Sequence, residues 1–81
     1  MKLPRDVSGR ELALALAVLG YATTRQTGSH VRLTTQYGGQ HHVTIPAHAS
    51  LRVGTLAAIL DEVAKHHGLS RDEIVGLLFG G

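Results

Sequence analysis

The chain has 81 residues, with eight Lys and Arg, six Asp and Glu and six His, for a formal net charge of +2 at neutral pH and a sequence pI of about 9.5. That length supports one domain, residues 1–81, with a single modest core and no room for an elaborate pocket. The absence of cysteine excludes disulfides, thiol catalysis and thiolate zinc sites, and the small positive charge permits an anionic partner without demanding one.

At the N-terminus, Lys2, Arg5 and Arg10 precede the apolar run 12–19 and outline a signal peptide, but Asp6 and Glu11 interrupt its basic part. The run is also far shorter than the ~20 apolar residues of a membrane span, so no membrane association is expected. Ser8-Gly9-Arg10-Glu11 reads as a capping box, in which the Ser8 hydroxyl accepts from the Glu11 amide and the Glu11 carboxylate accepts from the Ser8 amide. A helix is therefore predicted to start there, with Leu12, Leu16 and Leu19 on one stripe helped by Val18, and Gly20 as its stop. The Leu/Ala alternation also fits a strand, but both residues are strong helix formers and the cap favours the helix.

Gly28-Ser29 separates residues 21–27 from His30–Thr35 and predicts a two-residue hairpin turn, Gly28 supplying the positive φ of a type II′ turn. Counting back from the turn, Thr27/His30, Arg25/Arg32 and Thr23/Thr34 share one polar, basic face. Gln26/Val31, Thr24/Leu33 and Ala22/Thr35 share the other. Like charges directly opposed are destabilising, so Arg25 against Arg32 asks for a cause. A bound polyanion supplies one; the alternative is that both guanidinium groups splay into water at little cost.

The third strand must place Val43 and Ile45 with Val31 and Leu33. A two-residue turn at Gly38-Gly39 would reverse every side chain, so the loop is odd, at 37–39 or 36–40. Leu33 then faces Val43, Arg32 faces Thr44 and His30 faces Pro46, with His42 further along the polar face and His48 beyond the strand end. His41 and His42 point to opposite faces and cannot chelate one ion together.

Leu56, Ile59, Leu60 and Val63 predict a helix from about 54 to 67, ended by Gly68, with an Asp61–Lys65 pair one turn apart and His66 and His67 favoured by the helix dipole. A second capping box, Ser70-Arg71-Asp72-Glu73, opens a short helix with Ile74, Leu77 and Leu78 on its apolar side. The expected class is α+β, in the order helix, three-stranded antiparallel sheet, helix, short helix, with the helices on one sheet face.

Lys2-Leu3-Pro4-Arg5, Leu19-Gly20-Tyr21, Arg25-Gln26-Thr27-Gly28-Ser29-His30, the run from His42 to His48 and Gly54-Thr55-Leu56 resemble, in order and spacing, the HicA toxins of toxin–antitoxin systems. The resemblance implies a fold similar to a double-stranded-RNA-binding domain, metal-independent cleavage of messenger RNA in the cytoplasm without a cofactor, and a HicB-like antitoxin. It maps the family's catalytic histidine onto His30. The first helix departs from the pattern, being Ala-rich where many members carry Lys or Arg, and Ala47 and Ala49 flank His48 where polar residues are common.

RNA cleavage without a metal needs a base for the ribose 2′-hydroxyl and cations for the charge on phosphorus. An imidazole suits the first task, and guanidinium groups grip phosphate bidentately. The residues alone leave His30 open between a surface structural histidine and a catalyst. The resemblance implies that it is the catalytic residue, with Arg25, Gln26, Gly28, Ser29, Arg32, His42 and His48 as expected RNA contacts and His42 or His48 a candidate for protonating the leaving group. The antitoxin is expected to cover the His30 face. Tyr21 and Tyr37 can each stack on a base, though Tyr21, just after the helix stop, is better suited to packing. No acidic cluster matches a nuclease metal site. Two other classes stay open: a catalytically silent RNA-binding module and a protein-interaction domain.

Overall fold

The computed structural model describes residues 3–80, so Lys2 of the opening motif lies outside the described residues. The chain runs α1 (Gly9–Leu16), a 3₁₀ turn (Ala17–Leu19), β1 (Ala22–Thr27), β2 (His30–Thr35), β3 (His41–Pro46), α2 (Val53–His67) and α3 (Arg71–Phe79). This is the expected α+β order, an antiparallel meander β1-β2-β3 with its helices on one face.

Both capping boxes form. Ser8 Oγ accepts from the Glu11 amide at 2.9 Å while the Ser8 amide donates to Glu11 Oε1 at 3.2 Å, and Ser70 and Glu73 repeat the exchange. Each closes two of the four unpaired donors at a helix start. Gly20 and Gly68 end their helices with φ of 80° and 68°, the left-handed cap that a side chain would disfavour.

Leu12, Leu16, Leu33, Ile45, Leu56, Leu60, Val63 and Ile74 are fully buried between the helices and the sheet. Two apolar assignments and one ion pair are corrected. Val18 lies in the 3₁₀ turn and is 61% exposed, because helical spacing sets it more than a quarter turn away from the stripe of Leu12, Leu16 and Leu19. On α3 the buried pair is Ile74 and Val75, with Leu78 packed against the core as expected, and this face leaves Leu77 turned outward. Asp61 is held by Arg71 of α3, with Nε and Nη2 on its two carboxylate oxygens at 2.9 and 2.6 Å, in place of Lys65. A bidentate guanidinium outcompetes a flexible ammonium for the same carboxylate.

The β2–β3 register is as expected, with Leu33 on Val43, Arg32 on Thr44 and His30 on Pro46, across the five-residue loop 36–40. The β1–β2 register holds at Thr27/His30, Gln26/Val31 and Arg25/Arg32, then slips by one: Thr23 faces Leu33 and Ala22 faces Thr34, with Thr24 bulged. The predicted Thr23/Thr34, Thr24/Leu33 and Ala22/Thr35 pairs are thus wrong. The bulge reverses the alternation, so Tyr21 turns into the core, where it is 3% exposed; regular pairing would leave it on the face of Arg25. Thr24 stays on the open face, its Oγ1 2.9 Å from Thr34 Oγ1.

Candidate functional site

The sheet's uncovered face carries His30, Arg32 and Thr34 from β2, Arg25 and Thr24 from β1, and Thr44 and His42 from β3. Arg25, Arg32 and Thr44 form one row across the three strands, and Thr24, Thr34 and His42 a neighbouring one. Within the second row, Thr34 Oγ1 bridges Thr24 Oγ1 at 2.9 Å and His42 Nδ1 at 2.7 Å. No Asp or Glu lies between Glu11 and Asp61, so no strand or sheet loop contributes a carboxylate to balance the arginines. That acid-free stretch is a signal readable in the sequence that sharpens the case for an anionic ligand.

His30 opens β2 beside the Gly28-Ser29 turn. Gly28 has φ of +50°, as a type II′ turn requires of its first central residue. The Ser29 carbonyl accepts from the Ala47 amide at 2.7 Å, which extends the β2–β3 ladder past His30 and stiffens its base. The imidazole is exposed, with Ser29 Oγ 3.4 Å from Nδ1.

The predicted contacts divide into three groups. Arg25, Arg32 and His42 share the open face with His30; Gly28 and Ser29 form the turn at its end. Gln26 and His48 instead line a groove between α1 and the edge of the sheet. His42 stands opposite Thr34, four residues along β2 from His30, roughly 13 Å at ~3.3 Å per residue. At that backbone spacing the register does not itself bring the two imidazoles together, and His42 Nδ1 is instead 2.7 Å from Thr34 Oγ1.

A second cluster, which local sequence patterns do not reveal, lies on the helix side. The Tyr21 hydroxyl is 2.8 Å from His41 Nδ1 and 3.2 Å from His67 Nε2, and His41 Nε2 is 3.5 Å from Glu62 Oε1. His66 stacks on His41 with ring centres 4.4 Å apart and bonds the Gly39 carbonyl at 3.1 Å, while Tyr37 tilts over His67. The network closes with neutral rings: His67 donates to the Tyr21 oxygen, Tyr21 donates to His41 Nδ1, and His41 directs its Nε2 proton at Glu62. Burial and the Glu62 charge push the Tyr21 phenol up to about 12. Burial, then His66 and His41, hold His67 below its ordinary value of about 6.5. The signal available in sequence was only that His66 and His67 end a helix; the tertiary fold brings His41 and Tyr21 to them.

Folded His67 resists protonation while the unfolded chain does not, so its share of stability is complete above pH ~6.5 and is lost as pH falls through the depressed value. The urea midpoint is expected to drop between pH 7.5 and 5.5, and His67→Gln to remove a measurable part of that drop. An equal drop in the variant would show that His67 does not contribute.

Fold and site define a small basic α+β domain whose sheet is covered on one side and presents arginines and histidines on the other. Residues 9–69 match the family model described as the HicA toxin of bacterial toxin–antitoxin systems, and the chain belongs to that family. Its members are generally ribonucleases, and membership implies an antitoxin partner. No curated protein matches the chain, and no solved structure does. Among the described residues no helix is long and apolar enough to cross a membrane.

Proposed function

We propose that this toxin is a metal-independent endoribonuclease that acts on messenger RNA in the cytoplasm at the open sheet face. His30 takes the proton of a ribose 2′-hydroxyl; the oxygen attacks the adjacent phosphorus, a new P–O bond forms, and the bond to the 5′-oxygen breaks as that oxygen takes up a proton. Arg25 and Arg32 grip the phosphate and offset the charge that builds on it. The observation that carries this reading is the directly opposed Arg25–Arg32 pair on a face with no carboxylate, one step along the strands from the Thr27/His30 pair. Gly28 and Ser29 let the RNA backbone approach the turn, and His42 with Thr34 holds the strand further along. The HicB-like antitoxin acts by occupying this face, which excludes RNA without disturbing Leu33, Val43 or Ile45 beneath it.

One observation favours a catalytically silent binding module on the same face: the His30 ring is approached by Ser29 Oγ at 3.4 Å, with no carboxylate among the described residues to orient it. Catalytic hydrogen bonds commonly tighten only with substrate bound, and an assay separates the two readings. Purified toxin in excess chelator is expected to cut RNA and leave 2′,3′-cyclic phosphate ends; binding without cutting selects the silent module. Arg25→Gln or Arg32→Gln is expected to weaken RNA binding and to reduce the salt slope, log K against log salt, by about 0.7 for each phosphate that a single strand no longer has neutralised. An unchanged slope would place both arginines in water.

A further inference from the structure

The helix layer leaves one strip of the sheet's inner face bare. All six residues of β1 are exposed, and between this edge strand and α1 runs a groove of about 730 Å³. A cavity of that size lies within the range of ligand sites, though it is an open groove and not an enclosed pocket. Its helical wall is Ala13 and Leu14 of α1 and Ala17 of the 3₁₀ turn, and Val31 and Leu33 also line it. Leu14 is 67% exposed in a chain whose other α1 leucines, Leu12 and Leu16, are fully buried. Arg10 and His48 line the same groove, and no Asp or Glu does so among the described residues.

We propose that this groove is a second docking point for the antitoxin, which straddles the β1 edge. One part of it covers Arg25 and Arg32 on the open face; an acidic segment on the other side sets an apolar side chain against Leu14 and a carboxylate against Arg10. The proposal rests on the family's antitoxin partnership and not on the chemistry assigned to His30. Charge complementarity selects the occupant. A groove that carries the Arg10 guanidinium and no acid favours a carboxylate, whereas a second copy of this chain, of net charge +2, would bring its own cations to the same place. Arg10, Gln26 and His48 in this lining could also meet a phosphate; the exposed Leu14 side chain is what favours a protein occupant, since an aliphatic wall offers no donor to a nucleic-acid backbone. A partner held on both faces of one strand dissociates only when both attachments open, which lengthens its residence.

The test compares Leu14→Glu and Leu14→Ala with Val53→Glu, which alters an equally exposed aliphatic residue, 59% exposed, at the start of α2. Affinity for the purified cognate antitoxin is measured by calorimetry and RNA cleavage in parallel, with circular dichroism to confirm folding. Leu14→Glu is expected to weaken antitoxin binding by ~30-fold or more, as for a central apolar anchor. Leu14→Ala should do so by a smaller factor, and Val53→Glu should leave it within about threefold. RNA cleavage should be unchanged in all three. Unaltered antitoxin affinity in both Leu14 variants overturns the proposal, as does an equal loss with Val53→Glu. Lost cleavage with intact antitoxin binding would assign the groove to RNA and overturn it too. A wild-type protein that cuts no RNA, yet loses its antitoxin on Leu14 substitution, would refute the ribonuclease reading and support the groove.

Discussion

His30→Ala is expected to lower RNA cleavage by about 10²–10⁴-fold, the contribution of a positioned general base, while the protein stays folded and continues to bind RNA. The expectation follows from where His30 sits. Its ring is exposed on the open face, so truncation removes no core packing and the stability change should stay within ~1 kcal/mol. Arg25 and Arg32 remain in place to hold the phosphate. Cleavage is measured with a labelled RNA under single-turnover conditions, and binding by anisotropy in the same buffer. A folded variant with undiminished cleavage would remove His30 from the mechanism. A parallel loss of cleavage and binding would make it a binding residue.

Gly9→Ala is expected to have the largest effect on stability, in the direction opposite to the one helix propensity suggests. Gly9 is the first residue of α1, where replacing glycine in a conformation alanine can adopt normally stabilises by about 0.4–1 kcal/mol. Here α1 enters against the end of β3. Gly9 is buried, its amide donates to the His48 carbonyl at 2.9 Å, and a Cβ on it would overlap the Pro46 carbonyl oxygen. Backbone cannot rotate aside as a side chain would, so the cost falls at or above the upper end of overpacking, about 3 kcal/mol. For a domain of this size that corresponds to a drop of roughly 12–24 °C in Tm at ~4–8 °C per kcal/mol. Pro46 is paired with His30, so displacement of the β3 end should also reduce cleavage by the molecules that remain folded. A drop of less than ~5 °C would mean that α1 shifts freely and does not brace the strand.

These two residues mark what could and could not be read from the chain. Local rules sufficed where neighbours in sequence are neighbours in space. The two capping boxes, the Gly20 and Gly68 stops and the Gly28-Ser29 turn each satisfy backbone groups within a few residues. From the turn and the alternation of Val31, Leu33, Val43 and Ile45, the β2–β3 register and the face of His30, Arg25, Arg32 and His42 follow by counting. The resemblance to the HicA toxins rested on the same ordered motifs.

What the chain alone did not determine depends on groups distant in sequence. The bulge at Thr24 is what turns Tyr21 into the core, and no local pattern in β1 records that burial. Asp61 takes Arg71 from another helix in place of Lys65 on its own. The groove that Gln26 and His48 line exists only because α1 packs beside the sheet edge, and His41, His66 and His67 gather around Tyr21 only when α2 closes on β3. Gly9 reads as a helix start in sequence; only the fold presses it against Pro46. Packing between non-adjacent elements sets all of these, through burial and excluded volume that have no period along the chain.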